Sequence, residues 1–294
     1  MSTGSLVAAL AERVVVLDGG LASRLEEHGH DLSDELWSAR LLVDDPAEVR
    51  AAHRDYAAAG AEVATTASYQ VSYDALAARG VDREGVDELL RRSVALAREA
   101  SDGASWVAAS VGPYGAALAG GQEYTGDYDL DVSGLRRWHR RRLQVLAEAG
   151  PDALALETIP SLAEVEALLA EVEGLGVPCW LSLTAVGDRT RRDEPVAEAF
   201  AMAAEAPEVV AAGVNCCTAD SADAALALAA VFPGVVYPNS GEEWDPVGRR
   251  WAGAATFTVD RVRGWVDHGA RLVGGCCRVG PDRIAEVSSI VRGL

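Results

Sequence analysis

The chain has 294 residues, and 49% of them are hydrophobic, which is enough for one large α/β barrel or two smaller domains. Its 26 basic and 45 acidic residues give a net charge of −19, which disfavours binding to nucleic acids and to anionic membranes. All the basic residues are arginines, so enzymes that need a lysine amine, such as Schiff-base aldolases and pyridoxal-phosphate enzymes, are excluded.

The N-terminal segment 1–16 lacks the basic start, apolar stretch and cleavage site of a signal peptide. The Ala-rich segment 224–232 is shorter than the roughly 20 apolar residues that cross a bilayer. Four of the five cysteines occur in two adjacent pairs, which is not the pattern of a disulfide framework. We therefore expect a cytoplasmic protein with reduced cysteines.

Short apolar runs alternate with longer segments of helical period along the whole chain, which indicates repeated βα units. Because eight strands close a barrel, we predict an α/β fold, a (β/α)8 TIM-type barrel, in one domain of residues 1–294. The predicted strands are Val14–Leu17, Ala61–Thr66, Trp106–Val111, Ala153–Leu156, Cys179–Leu183, Val209–Val214, Val235–Tyr237 and Arg271–Val273. The predicted helices are Ala47–Ala59, Arg83–Ala100, Leu135–Ala149, Leu162–Glu173, Val196–Ala204, Ala222–Val231, Val259–Asp267 and one that begins at Pro281.

Side chains that can bind ligands or take part in catalysis follow these strands. Barrel active sites lie at the C-terminal ends of the strands, so we expect these side chains to converge there. The long stretches Tyr114–Val132 and Asn239–Thr256 are predicted to be functional loops at the site. The strand-end residues are Asp18, Thr66, Tyr69, Glu157, Asn215, Cys216, Asn239, Cys276 and Cys277.

The two cysteine pairs are the strongest chemical signal. They lie in Gly213–Cys217 (GVNCC) and Gly274–Arg278 (GGCCR), each at the end of a predicted strand. Together they can offer three thiolates to Zn²⁺ and leave a fourth tetrahedral position open, as in a catalytic rather than a structural site. The Cys216 and Cys276 sulfurs should then lie within about 4 Å of each other. This arrangement indicates chemistry on a thiol.

Motifs from both ends of the chain resemble the zinc-dependent homocysteine S-methyltransferases, in particular the branch that uses S-methylmethionine. The resemblance implies a (β/α)8 barrel with the zinc ligands Cys216, Cys276 and Cys277, and transfer of a methyl group to the thiolate of zinc-bound homocysteine, which gives methionine. The motifs are Leu17–Gly20, Leu36–Ala39, Thr66–Gln70, Ser110–Gly115, Glu123–Tyr128, Glu157–Thr158, Gly213–Cys216, Val236–Glu242 and Gly274–Arg278.

The resemblance also implies how the substrates are bound. Asp18 and Glu157 would bind the ammonium group of homocysteine, and Asn215 with the backbone of Gly19 and Gly20 would bind its carboxylate. A sulfonium donor is a cation, so aromatic faces should line its approach. The candidate residues are Tyr69, Tyr114, Tyr124, Tyr128 and Tyr237, and Thr66 and Asn239 complete the expected substrate-binding set.

Two positions depart from the family pattern. Cys217 is an additional cysteine; because neighbouring strand side chains point to opposite faces, only one of the pair should reach the metal, and we favour Cys216. Val279 stands where a threonine is common, which affects the hydrogen bonds around the ligands but not ligation. Cys179, at the start of its strand, is predicted to be a buried apolar residue.

Other assignments remain open at this point. The cysteines could hold a structural or stored metal with a fourth protein ligand, or the enzyme could methylate another thiol or a selenol, or use S-adenosylmethionine or a betaine as donor. The oligomeric state cannot be read from the sequence. The five histidines are expected at the surface or at helix caps, Arg140–Arg142 on a salt-bridged outer face, and Trp37, Trp106 and Trp180 in structural packing.

Overall fold

Eight parallel strands form the centre of the fold in a computed structural model, which describes residues 4–32, 38–101, 103–228, 232–245 and 250–294. The strands are β1 Val15–Val16, β2 Val63–Thr65, β3 Trp106–Val111, β4 Ala153–Ile159, β5 Cys179–Leu183, β6 Val209–Asn215, β7 Gly234–Tyr237 and β8 Ala270–Val273. Their hydrogen-bonded order is β1-β8-β7-β6-β5-β4-β3-β2, and a bridge from Leu17 to Val63 closes β1 against β2. The predicted TIM-type barrel is therefore confirmed.

The helices pack around the outside of the barrel, and their buried faces form the larger hydrophobic core with the outer faces of the strands. The long helices agree with the prediction to within a few residues. Of predicted Ala222–Val231, residues 229–231 lie outside the described part of the chain. The α-helices are Leu6–Glu12, Leu21–Glu27, Ser38–Asp44, Pro46–Ala58, Tyr73–Ala77, Arg83–Ala100, Tyr114–Ala117, Val132–Glu148, Leu162–Val172, Val196–Ala204, Ala219–Leu226, Arg261–Asp267 and Pro281–Arg292.

Among the described residues, no helix combines the length and the apolar character that crossing a membrane requires. The five helices that the sequence analysis did not predict span seven residues or fewer, too few for a 3.6-residue period to be recognised. The predicted loop Tyr114–Val132 contains one of them and the 3-10 helix Gln122–Tyr124. The loop Asn239–Thr256 contains a hairpin of Glu243–Asp245 with Arg250–Ala252.

The inside of the barrel is filled by side chains rather than by a pore. Trp180 is its largest member and is fully buried, in a cluster with small residues such as Ala108 and Ala155. Leu6 and Leu10, from the first helix, join this cluster and cover the N-terminal end of the strands. Trp106 and Trp180 thus pack as predicted, whereas Trp37 lies outside the described residues.

Two of the five histidines are buried rather than exposed: His53 is 1% exposed, and His139 belongs to a buried polar network outside the barrel that also corrects the expectation for Arg142. His139 is fully buried rather than exposed, and its Nε2 lies 2.9 Å from Oε1 of Glu164, which also accepts a hydrogen bond from the Tyr114 backbone N–H at 2.6 Å. Arg142 is also buried and donates to the Gly112 carbonyl, whereas Arg140 is exposed and pairs with a carboxylate as expected. The network ties the loop that begins at Gly112 to two outer helices.

Replacement of Trp180 tests the packed interior of the barrel. We expect Trp180→Ala to lower the free energy of unfolding by about 3–5 kcal/mol, because a rigid barrel cannot collapse around the cavity. The control is Val186→Ala in an exposed hairpin, where 59% of the residue is accessible and a change below about 0.5 kcal/mol is expected. Urea unfolding followed by circular dichroism measures both. Equal losses in the two variants would contradict the packing described above.

Candidate active site

Three cysteine sulfurs converge at the C-terminal end of the barrel. Cys216 Sγ lies 3.2 Å from Cys276 Sγ and 3.6 Å from Cys277 Sγ, and the last two are 3.9 Å apart. Three sulfurs bound tetrahedrally to one zinc at 2.3 Å would be about 3.8 Å apart. The three thiols are not disulfide-bonded in this structure, since bonded sulfurs are only about 2.05 Å apart. The cluster therefore fits one metal ion with three thiolate ligands.

The segment that follows β7 holds the two cysteine loops together. The Cys276 N–H donates to the Pro238 carbonyl at 2.8 Å, and the Cys277 N–H donates to Oδ1 of Asn239 at 3.1 Å. On the other side, the Asn239 N–H donates to the Cys217 carbonyl at 3.0 Å. Asn239 thus positions both loops, and its side chain acts through the Cys277 backbone.

Only one member of the Cys216–Cys217 pair faces the cluster. Cys216 has a left-handed φ of 50°, which turns the chain at the end of β6, and hydrogen bonds with the other two thiols lower its pKa. Cys217 belongs to the hydrophobic core, where burial raises the pKa of its thiol to about 12. Cys179 is likewise buried, and its pKa is raised to about 12 for the same reason.

A cavity of about 120 Å³ adjoins the sulfur cluster and is lined by acidic side chains; we call it the anionic cavity. It contains three carboxylates, and none of its described lining residues is basic. An amino acid's ammonium group or another cation would therefore find complementary charge there. Its lining includes these predicted residues: Asp18, Gly19, Gly20, Thr66, Tyr69, Tyr124, Glu157, Asn215, Tyr237, Cys216, Cys276 and Cys277.

Asp18 lies where β1 meets β2. Its Oδ2 accepts from the Thr65 N–H at 2.7 Å and its Oδ1 from the Thr65 hydroxyl at 2.8 Å. Burial raises its pKa to about 7 although these hydrogen bonds oppose the shift, and the nearby charge of Glu157 adds to it. It does not cap a helix, since Gly20 is the N-cap of the helix that follows.

Glu157 has no basic partner among the described residues. Ser110 donates to its Oε1, and the Tyr237 hydroxyl donates to its Oε2 at 3.0 Å. Tyr237 in turn accepts from the indole N–H of Trp180 at 3.1 Å, so the interior of the barrel orients the carboxylate. Burial raises the pKa of Glu157 to about 7. A bound cation would offset the cost of keeping Asp18 and Glu157 ionised.

Two predicted carboxylate-binding groups have other partners. The Asn215 side chain accepts from the Thr158 N–H at 2.7 Å and donates to the Thr158 hydroxyl at 2.8 Å, which supports the left-handed φ of 61° at Thr158. The Gly20 N–H donates to the Val279 carbonyl at 3.0 Å. A Cβ on Gly20 would lie 2.6 Å from the Cys276 carbonyl oxygen, so glycine permits the close approach of these loops. Asn215 and Gly20 therefore position the site's backbone.

The aromatic candidates divide into two groups. Tyr69, Tyr124 and Tyr237 line the cavity, and the Tyr124 hydroxyl lies 3.3 Å from Cys216 Sγ. Tyr114 and Tyr128 do not line it: their rings contact each other edge to face at 5.3 Å, and Tyr128 donates to the buried Glu164. The expectation that Tyr114 binds substrate is not supported, because its ring packs within the loop.

Glu123 is a site residue that the sequence analysis missed, although it begins the quoted motif Glu123–Tyr128. It is only 7% exposed, lines the anionic cavity, and its Oε2 has no hydrogen-bond partner. Burial raises its pKa to about 7. Its position directly before Tyr124 was the sequence signal by which Glu123 could have been predicted as a site residue. The remaining predicted residue, Thr66, lines the cavity and accepts from the Ser110 N–H at 3.0 Å.

Comparison with known proteins gives consistent matches over nearly the whole chain. The sequence model of a family described as homocysteine S-methyltransferase matches residues 15–291. The chain is 40% identical to homocysteine S-methyltransferase of Escherichia coli strain K12, over 98% of this chain and 99% of that protein. It is 44% identical to homocysteine S-methyltransferase 4 of Zea mays, over 94% and 89% respectively. The metallated crystal structure of the E. coli homocysteine methyltransferase MmuM superposes with a TM-score of 0.87 at 39% identity, covering 96% of this chain and 98% of that one.

The adjacent cysteines allow a matched test of the metal cluster. We expect Cys216→Ala to lose metal binding because only two thiolates remain, whereas Cys217→Ala, which removes a core thiol, should keep it. Metal per chain is measured by atomic emission after zinc loading and removal of free ions under reducing conditions. If Cys216→Ala retained the metal and Cys217→Ala lost it, the assignment of Cys216 as the ligand would be contradicted.

Proposed function

We propose, for a chain that belongs to the homocysteine S-methyltransferase family, that the three-cysteine cluster holds zinc and that the methyl donor is a sulfonium amino acid. The chain is an enzyme that transfers a methyl group to the sulfur of homocysteine. One observation carries the proposal: a cluster of three thiols borders a cavity that contains three buried carboxylates.

Cys216, Cys276 and Cys277 would hold the zinc. Thiolate ligands favour zinc over magnesium, calcium or manganese, and the observed sulfur separations of 3.2 to 3.9 Å agree with a tetrahedral site. When bound, zinc would supply an open coordination position at which a thiol loses its proton near neutral pH. The similar E. coli enzyme has a crystal structure in a metallated form, which supports metal binding by this chain.

Asp18 and Glu157 would bind the ammonium group of homocysteine. Both carboxylates are buried, and burial raises the pKa of each to about 7, so a neighbouring cation favours their ionised forms. Glu123 adds a third carboxylate with an unpartnered oxygen. These residues orient the amino-acid end of the acceptor so that its sulfur faces the cysteine cluster.

The transfer itself needs no proton acceptor, because the homocysteine thiol releases its proton to solvent water before the methyl group moves. The homocysteine thiolate forms the new bond to the methyl carbon while the bond from that carbon to the donor sulfur breaks. The electron pair of the broken bond stays on the donor sulfur, which leaves as a neutral thioether. The residues around the cavity therefore orient and desolvate the reactants, with Tyr124 offering aromatic surface to the cationic donor.

The donor proposed is S-methylmethionine, on the resemblance of the Ser110–Gly115 and Glu123–Tyr128 motifs to the branch that uses it. The cysteine cluster needs reduced thiols, which supports the cytoplasm as its compartment. The high negative charge argues against nucleic-acid partners, and residues 1–294 are proposed to act as one catalytic domain.

The first test compares methyl donors. Reduced, zinc-loaded protein should form methionine from homocysteine faster with S-methylmethionine than with S-adenosylmethionine, and a betaine should not support turnover. Chelation of the metal should abolish the rate, and added zinc should restore it. Absence of turnover with both sulfonium donors, from protein that retains about one zinc per chain, would contradict the proposed donor class.

Replacement of Glu157 tests the acceptor site. We expect Glu157→Gln to raise the KM for homocysteine by about 10- to 100-fold, the range for a lost hydrogen bond to a charged group. Zinc content should not change, since Glu157 does not contact the cysteines. Glu166→Gln, an exposed glutamate on the following helix, is the matched control. Lost zinc, or an unchanged KM, would contradict the role given to Glu157.

A further inference from the structure

A second cavity of about 350 Å³ borders Cys216 of the sulfur cluster. Cys216 and Tyr124 line both cavities and separate the anionic one from this one. Its described lining also includes Arg191, Asn239 and Glu242. Arg191 is the one cationic side chain among the described residues that line either cavity.

The Arg191 guanidinium is held in place beside the cluster. Its Nε and Nη2 donate to the Thr184 hydroxyl oxygen at 3.1 and 3.0 Å, and this hydroxyl donates to the Cys216 carbonyl at 3.2 Å. The guanidinium carbon also lies 5.5 Å from the centre of the Tyr124 ring. These contacts fix the direction of the cation but use only two of its five N–H donors.

The backbone around Arg191 is equally constrained. The Arg191 N–H donates to the Pro160 carbonyl at 3.1 Å. The preceding residue, Thr190, accepts from and donates to Glu194 across a tight turn, and the Glu194 carboxylate accepts from the Leu162 N–H at 2.8 Å. The turn is therefore anchored to the helix Leu162–Val172, and Arg191 is presented from a rigid support.

Arg191 has no carboxylate partner in the described part of the chain. Its neighbour Arg192 pairs with Asp127 at 3.1 Å, and the acid of this cavity, Glu242, pairs with Arg278 at 2.6 Å. A half-buried guanidinium with free donors matches a carboxylate, which accepts two parallel N–H bonds. An in-line methyl transfer also requires the donor sulfur to lie opposite the attacking sulfur, away from the acceptor's own cavity.

We propose that Arg191 binds the α-carboxylate of the methyl donor and that the second cavity is the donor site. This inference rests on the proposed sulfonium amino-acid donor. The acceptor is then held by its ammonium group in the anionic cavity, and the donor by its carboxylate in the second one. Donors with a free carboxylate are selected over those in which it is absent or esterified.

The test uses S-methylmethionine and its methyl ester as paired donors for the zinc-loaded enzyme. We expect the wild type to show a 10- to 100-fold higher kcat/KM with the free acid, the range for hydrogen bonds to a charged group. Arg191→Met should remove that preference by raising the KM for the acid, with zinc content and the KM for homocysteine unchanged. Arg191→Lys should restore part of it.

Arg192→Met is the matched control because it removes an adjacent, exposed arginine, and it should keep the preference for the free acid. An equal loss with acid and ester in Arg191→Met, a raised KM for homocysteine instead, or no change at all would each overturn the proposal. Failure of the proposed function would give a different result, because the wild-type enzyme would then use neither sulfonium donor.

Discussion

The active site depends on a constraint of barrel topology: its thiols come from strands that are not neighbours. Cys216 follows β6 and the Cys276–Cys277 pair follows β8, with β7 between them. The segment after β7 donates to one loop and accepts from the other, so backbone hydrogen bonds set the spacing of the sulfurs. The cluster therefore forms only when these three strands are in register, which couples metal binding to the completed fold.

The same end of the barrel concentrates negative charge at a cost in stability. Asp18, Glu123 and Glu157 are buried beside three thiols, and burial raises the pKa of each carboxyl to about 7. Proteins tolerate such groups where function requires them and compensate elsewhere. Here the compensation is the apolar packing of Trp180 and the strands below the site. A cation bound among these groups would make their charge favourable and would stabilise the folded protein.

The elements with strong local signals were predictable from sequence, and those that depend on distant partners were not. The eight strands and the long helices follow from periodicity, and the cysteine pairs follow from their spacing at strand ends. By contrast, Asn215 has Thr158 as its partner, which no local pattern indicates. The sequence does not indicate that Glu123 and Arg191 line cavities, because cavities are formed by residues from distant parts of the chain. The burial of Arg142 within a run of arginines likewise depends on its tertiary surroundings. The alternation of strand side chains predicted that Cys216 rather than Cys217 faces the metal site, and the burial of Cys217 in the core agrees with this prediction.

The helix Leu6–Glu12 limits the routes by which substrates and products can exchange with solvent. Because Leu6 and Leu10 cover the N-terminal end of the strands and Trp180 fills the interior, the barrel has a single open end. Reactants and products must exchange with solvent through that end alone. The proposed acceptor and donor cavities share Cys216 and Tyr124 as lining residues, so under that assignment each amino acid would have its own route through this end. Under that assignment the two substrates would not have to bind in a fixed order, and neither product would have to leave first.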